Sequence, residues 1–122
     1  MNDLFTYVDQ LDIAIPLVPL DKLRETACLQ YNAMWKRRGK YRRRATLYLE
    51  GNFIDRITVN LLKHNFCNYD AEINHLVSRG GTEQEILRLK FRVLERIAQV
   101  YPELRSECER QVAVAKRGIG RA

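Results

Sequence analysis

Residues 82–101, TEQEILRLKFRVLERIAQVY, decide the fold of this chain. Thr82 and Glu85 have the spacing of a capping box, in which a hydroxyl and a carboxylate each bind a backbone N–H that the first helical turn leaves without a partner. Apolar residues then recur every three or four positions in two neighbouring rows, which are Leu87, Phe91, Leu94, Ala98 and Tyr101, and Ile86, Leu89, Val93, Ile97 and Val100. Two rows give one helix a wide apolar face, so the stretch predicts the central helix of an α-helical core.

Further helices are predicted on both sides of this one. The apolar spacing predicts a helix over residues 21–38, and a narrow apolar stripe predicts another from Pro102 to Gly118. A short helix is predicted to begin at Asn68 or Asp70 and to end at Gly80-Gly81, because glycine suits the residue that follows a helix.

Residues 41–66 have two interpretations. The first is a helix, because apolar residues follow at steps of four, namely Leu49, Phe53, Ile57 and Leu61. The second is a hairpin, in which residues 45–50 and 53–59 form strands around the turn pair Gly51-Asn52. The unbroken spacing favours the helix, and the hairpin stays open as the alternative.

Residues 1–20 are interpreted as an apolar N-terminal arm. Leu11, Ile13, Ile15 and Leu17 alternate with other residues, as in an extended segment, and a short helix fits over residues 3–10. Pro16 and Pro19 prevent a helix from running through the arm. We expect the arm to pack either on the chain's own core or on a partner subunit.

These elements predict an all-α fold, a small bundle of four to five helices with an extended N-terminal arm. Residues 21–118 form a single helical domain in this interpretation, and residues 119–122 form a tail. The alternative is an α+β fold with a hairpin at about 45–60.

Composition excludes several classes of protein. The 122 residues suit one domain. Cys28, Cys67 and Cys108 are odd in number and form no CxxC pair, which argues against a disulfide framework or a zinc knuckle. Residues 1–16 contain three aspartates and no base, unlike a secretory signal, and no apolar run reaches the ~18 residues of a membrane span. We therefore expect a cytoplasmic protein without a membrane partner.

Positive charge is concentrated in one stretch. The formal net charge is +6, yet residues 26–48 hold seven bases and no acid, whereas residues 1–25 hold five acids and two bases. All seven bases lie in residues 36–44, KRRGKYRRR, which we call the basic segment. Such density is self-repelling unless an anion neutralises it, and phosphates are one such anion.

The basic segment is the predicted functional site. Its cations would bind phosphates of DNA or RNA, while neighbouring aromatic rings would stack on bases or on arginine planes. The predicted binding residues are Trp35, Lys36, Arg37, Arg38, Lys40, Tyr41, Arg42, Arg43 and Arg44. Two alternatives are an acidic protein surface as the partner and pairing with the acids of the N-terminal arm.

Two other polar rows have helical spacing. Arg88, Arg92 and Arg96 share one helix face, which predicts a salt-bridged surface exposed to solvent. A second row repeats every four residues and consists of Asn52, Arg56, Asn60 and His64. It suits hydrogen bonding to a neighbouring loop, or recognition of base edges, for which asparagine and arginine are well suited.

His64, Cys67, Asp70 and His75 lie close together in the sequence but match neither a common zinc spacing nor a nucleophile with an oxyanion element. We interpret them as residues that end one helix and begin another. No glycine-rich phosphate loop or hydrolase motif occurs in the chain. We therefore expect no catalytic activity, no cofactor and no metal.

The sequence thus predicts a small basic helical protein that binds DNA or RNA through the phosphate backbone. The alternative is a protein-interaction or assembly subunit that binds an acidic protein or self-associates, with a homodimer through the N-terminal arm as one form. The apolar arm and the wide apolar face of residues 83–101 motivate this alternative.

Overall fold

The structure is a computed structural model that describes residues 4–37 and 52–119. Its α-helices in these ranges are α1 (Leu4–Gln10), α2 (Leu20–Arg37), α3 (Asn52–Leu61), α4 (Tyr69–Ser78), α5 (Glu83–Val100) and α6 (Arg105–Ile119). A π-helical turn, Leu62–Phe66, follows α3, and a 3-10 turn, Pro102–Leu104, precedes α6. No strand occurs in the described ranges, so the all-α prediction is confirmed.

The helix count and one alternative need correction. The described ranges contain six α-helices rather than four to five, because residues 4–10 form a helix of their own. The hairpin alternative is wrong for residues 53–59, which belong to α3, while residues 45–51 lie outside the described ranges. Strand propensity is overridden there, since Thr58 and Val59 are fully buried and the Thr58 hydroxyl donates to the Ile54 carbonyl at 2.7 Å.

Helix α5 lies at the centre of the bundle, as predicted. The Glu85 N–H donates to the Thr82 hydroxyl at 3.2 Å, and the Thr82 N–H donates to the Glu85 carboxylate at 2.7 Å, so the capping box is present. Residues from both apolar rows are buried, among them Leu89, Val93, Leu94 and Ile97. The helix packs against α1, α4 and α6. Burial of this wide face contributes four fully buried side chains to the core.

The N-terminal residues pack on the chain's own core. Leu4, Val8 and Ile13 are buried in the same cluster as the apolar residues of α5. Residues 11–19 have no regular secondary structure, consistent with Pro16 and Pro19.

Helices α2 and α3 pack against each other and extend beyond the main core. Leu23 and Val59 belong to that core, whereas none of residues 28–33 of α2 is buried. Leu29 is 64% exposed, and Phe53 at the start of α3 is half-buried. Residues 28–33 of α2 and Phe53 of α3 therefore lie outside the main core.

Glycine ends α4, as predicted. Gly80 has a φ of 77°, a left-handed conformation that suits glycine. A Cβ on Gly81 would lie 2.8 Å from the Leu76 carbonyl oxygen, so this position also requires the smallest residue. Helix α6 continues to Ile119, one residue past the predicted end at Gly118. None of the helices in the described part of the chain is long and apolar enough to cross a membrane.

Candidate nucleic-acid interface

The predicted binding residues fall at and after the C-terminal end of α2. Trp35, Lys36 and Arg37 form the last turn of this helix. The rest of the predicted site, residues 38–44, lies outside the described ranges, as do the side chains of residues 35–37. Cations at a helix C-terminus complement the partial negative charge of its last carbonyls, so the backbone position of Lys36 and Arg37 is favourable by itself.

A groove lies between α2 and α3, next to the end of α2. Its described wall is formed by Gln30, Tyr31, Ala33, Phe53, Arg56, Ile57 and Asn60, and its volume is about 660 Å³. The rings of Tyr31 and Phe53 pack edge to face, with their centroids 5.3 Å apart. Arg56 and Asn60 are exposed at the surface of α3. The groove therefore combines aromatic rings, carboxamides and one guanidinium.

The predicted polar row of α3 does not form one surface. Arg56 and Asn60 line the groove, and the Asn60 side-chain oxygen accepts a long 3.5 Å hydrogen bond from Gln111 of α6. His64 lies beyond the α-helical part and contacts Asp70 instead, with Nδ1 2.9 Å from the carboxylate. The π-helical turn changes the helical phase after Leu61, which separates His64 from the others.

Several acids near the N-terminus of the chain already have basic partners. Asp9 forms a two-point ion pair with Arg88 at 3.0 Å, and Glu25 lies 3.9 Å from Lys22. On α3, Asp55 contacts Arg24 at 2.7 Å. Of these three acids, Asp9 belongs to the N-terminal arm, whose acids the sequence had offered as partners for the basic segment.

The arginine row of α5 binds the N-terminal arm. Arg88 pairs with Asp9, and Arg92 donates to the backbone carbonyls of Val8 and Leu11, the latter at 2.9 Å. Arg96 contacts Gln99 at 3.3 Å. The prediction of a salt-bridged solvent face therefore holds for Arg88 alone, because Arg92 is half-buried under the arm.

Two further residues of the α5 region hold the same arm. The buried Glu85 carboxylate accepts from the Leu4 N–H at 2.6 Å in addition to its capping-box bond, and these backbone donors lower its pKa. The Tyr101 hydroxyl lies 2.7 Å from the Pro16 carbonyl and accepts from the Val18 N–H at 3.1 Å. The sequence indicated Glu85 only as part of the capping box and Tyr101 only as an apolar position. Their partners in the arm lie more than 80 positions away in the chain, so no local pattern could show these contacts.

The cluster around Cys67 is structural in its contacts. The Cys67 thiol is buried, and burial raises its pKa to about 11, so it stays protonated near neutral pH. His75 packs against Tyr7 with ring centroids 5.1 Å apart. Within residues 4–37 and 52–119, no three His, Cys, Asp or Glu side chains are placed to hold a metal ion.

Sequence reasoning missed Lys63, which is buried in the π-helical turn. Its Nζ donates to the Gln111 side-chain oxygen at 3.3 Å and lies 5.4 Å from the centre of the Tyr69 ring. Burial, together with the neighbouring charge of Lys90, lowers the pKa of Lys63 to about 8. The sequence signal for its burial was its position four residues after Val59, because residues four apart share a helix face and Val59 is buried.

No family model matches the chain, and neither a curated protein nor a solved structure matches it. Its function is therefore argued from its own residues.

Proposed function

We propose that this protein binds nucleic acid through the phosphate backbone and that the basic segment makes the contacts. The supporting observation is the distribution of charge. Residues 26–48 carry +7, while the net charge of the whole chain is +6, so the rest of the chain sums to −1. Binding of this kind depends on phosphate neutralisation and is expected to be weakly sequence-specific and sensitive to salt.

Other causes account for only part of this charge. The helix dipole favours cations in the last turn of α2, which covers Lys36 and Arg37. Lys40 and the three arginines 42–44 follow Gly39 in the sequence and are not part of α2. Asp9 of the N-terminal arm is already paired with Arg88, so it is not available to neutralise them.

The test is fluorescence anisotropy of labelled DNA and RNA at several salt concentrations. Replacing Arg42, Arg43 and Arg44 together by glutamine should weaken binding similarly on every sequence. For double-stranded DNA the slope of log K against log salt should fall by roughly 2 to 3, because each neutralised phosphate contributes ~0.9 to it.

A charge-matched control separates a site from the overall charge. Arg79, Arg105 and Arg117 are exposed and lie on or beside α4 and α6. Their triple glutamine variant loses the same net charge, and it should keep most of the affinity and the salt slope. Equal weakening in the two triple variants would contradict the assignment of the site to the basic segment.

A second candidate function is favoured by exposed apolar side chains. Leu17 is 90% exposed and Leu29 is 64% exposed, although both are large and apolar. We propose, as the alternative, an interaction subunit that binds an acidic protein or self-associates. Leu17→Ser leaves the buried part of the N-terminal arm in place and should convert a dimer to a monomer in light scattering; a native protein that is monomeric at all concentrations would remove the dimer.

In either case we propose a binding protein without catalytic activity, located in the cytoplasm. Support comes from the Cys67 thiol, whose raised pKa makes it a poor nucleophile near neutral pH. Full binding by a Cys67→Ala protein is the expected result.

A further inference from the structure

One face of α6 carries apolar and charged side chains in a regular pattern. Glu109 and Lys116 are seven residues apart on this helix, which is about two helical turns, so they lie on the same face. Both are exposed. Val112, which is half-buried, and Ala113, which is exposed, lie midway between them. This face of α6 therefore has an apolar centre, with an acid on one side of it and a base on the other.

Apolar side chains of α5 extend the same face. The Lys116 ammonium lies 5.8 Å from the centre of the half-buried Phe91 ring. Leu87 and Ala98 are four and seven residues from Phe91 and share its side of α5. A groove of about 390 Å³ is lined by Ala98 and by Val112 of α6, and a second groove, of about 540 Å³, is lined by Leu87 near the start of α5. The apolar surface therefore continues from α6 onto α5.

The two ends of this face carry opposite net charge. The charged side chains are Glu95, Arg105 and Glu109 towards the turn between the two helices, and Glu83, Lys90 and Lys116 towards the other end. The first group has one base and two acids, and the second has two bases and one acid. None of the six forms an ion pair with another described residue. Their charges are therefore available to a second molecule.

A face with this pattern is complementary to itself. When two copies pack with their α6 helices antiparallel about a two-fold axis, each end of the face meets the opposite end of the partner. Glu109 then faces Lys116 of the partner subunit, and the apolar centres pack together. Parallel α6 helices would bring like charges together, so the charge pattern favours the antiparallel arrangement.

We propose that this face of α5 and α6 is a dimer interface and that its occupant is a second copy of the chain, packed antiparallel about an axis near Val112 and Ala113. The N-terminal arm packs on the chain's own core and is not needed for this contact. The inference does not depend on nucleic-acid binding. It deepens the second candidate function, self-association, and assigns it to a face other than the arm.

The experiment is sedimentation equilibrium of the full chain without nucleic acid, over about 1–500 µM. The native protein should show a monomer–dimer equilibrium. Lys116→Glu should raise the dimer dissociation constant at least about tenfold, because it turns two attractions into repulsions in each symmetric dimer. Glu109→Lys should have the same effect. The double variant Glu109→Lys/Lys116→Glu exchanges the two charges, and it should restore the dissociation constant to within about threefold of the native value.

Two controls separate this interface from net charge and from the arm. Arg79→Glu makes the same change of charge beside the end of α4 and should alter the dissociation constant less than about threefold. Leu17→Ser changes an exposed residue of the arm and should leave the dimer intact. Circular dichroism checks the fold of each variant, which the exposure of Glu109 and Lys116 favours.

Each outcome bears on one interface or one function. A native protein that stays monomeric at the highest concentration would overturn the proposal. So would a dimer that neither charge reversal weakens, or a double variant that dimerises as weakly as the single variants. A dimer that Leu17→Ser dissociates while the charge reversals leave it intact would assign self-association to the arm instead. Absence of DNA and RNA binding would refute the nucleic-acid proposal and leave this interface standing.

Discussion

Replacing Lys63 by methionine should stabilise this protein, because the Lys63 ammonium is buried, whereas most lysine side chains are exposed to water. The Lys63 residue is 5% exposed, and its Nζ has Gln111 and the ring of Tyr69 as partners. No carboxylate lies within ion-pair distance of it among the described residues, so the ammonium is buried without a counter-charge. Methionine has a similar length and shape, fills the same space and needs no hydration.

The magnitude follows from the pKa of Lys63. Its fall from 10.5 to about 8 means that the folded state binds this proton less tightly than the unfolded chain does. A pKa shift of one unit corresponds to ~1.36 kcal/mol, so burial of the charged side chain lowers the free energy of unfolding by about 3 kcal/mol at pH 7. Loss of the hydrogen bond to Gln111 offsets about 1 kcal/mol of the gain. Lys63→Met should therefore raise the free energy of unfolding by about 2 kcal/mol.

The pH dependence has a definite sign. The penalty is complete below the folded pKa of about 8 and declines as the pH rises from there towards 10.5, where the unfolded side chain also loses its proton. The difference between Lys63→Met and the native protein should shrink by about 1 kcal/mol between pH 7 and pH 9. Thiols and phenols that titrate in this range are common to both proteins, so their effects cancel.

Urea unfolding at pH 7 and pH 9 measures the effect, with Lys22→Met as control. The Lys22 side chain is 72% exposed and makes one long ion pair, so its replacement should change stability by less than ~0.5 kcal/mol. A Lys63→Met protein that is less stable than the native one at pH 7 would refute the reasoning. So would a gain in stability that does not change between the two pH values.

Three further predictions concern the arm and the thiols. Glu85→Gln should lower the thermal midpoint at neutral pH and remove part of the destabilisation that the native protein shows below pH 4.5. The reason is that the Glu85 carboxylate, whose pKa is lowered in the folded state, stabilises the fold only while it is ionised. An unchanged loss of stability in acid, measured by unfolding at several pH values, would contradict this. Tyr101→Phe should cost about 1–3 kcal/mol in urea unfolding, because it removes the one hydroxyl proton that the Pro16 and Val18 carbonyls share and the acceptor of the Val18 N–H. A neutral substitution would show that water replaces the hydroxyl. A thiol reagent at pH 8 should label Cys28 first and Cys67 and Cys108 only on unfolding, since burial raises the pKa of the latter two to about 11; fast labelling of all three would refute their burial.

Local signals predicted the helices because they act within a few residues. The capping box of Thr82 and Glu85 and the stop at Gly80 depend on neighbours in the chain, and the structure contains both. The start of α3 was ambiguous, since β-branched residues favour a strand while the four-residue spacing favours a helix. Burial of Val59 against the rest of the bundle decided it, which is a tertiary effect.

The candidate site divides in the same way. The charge of the basic segment is a property of composition and needs no fold, and the nucleic-acid proposal derives from it. The groove between α2 and α3 was not predictable, because it requires Tyr31 and Phe53, which are 22 positions apart in the sequence, to meet. The polar row had indicated Arg56 and Asn60 but could not show which surface they share.

The sequence by itself determined that the described chain is helical, how α5 is capped and where the positive charge is concentrated, since periodicity, capping and composition are local quantities. Tertiary structure decided that Arg92 and Glu85 bind the N-terminal arm and that Lys63 is buried with no carboxylate of the described residues at ion-pair distance. These outcomes depend on which helix face meets which neighbour. Contacts between residues about 80 positions apart, such as the hydrogen bond from Leu4 to Glu85, determine how the helix faces pack. The spacing of residues along one helix does not predict these contacts.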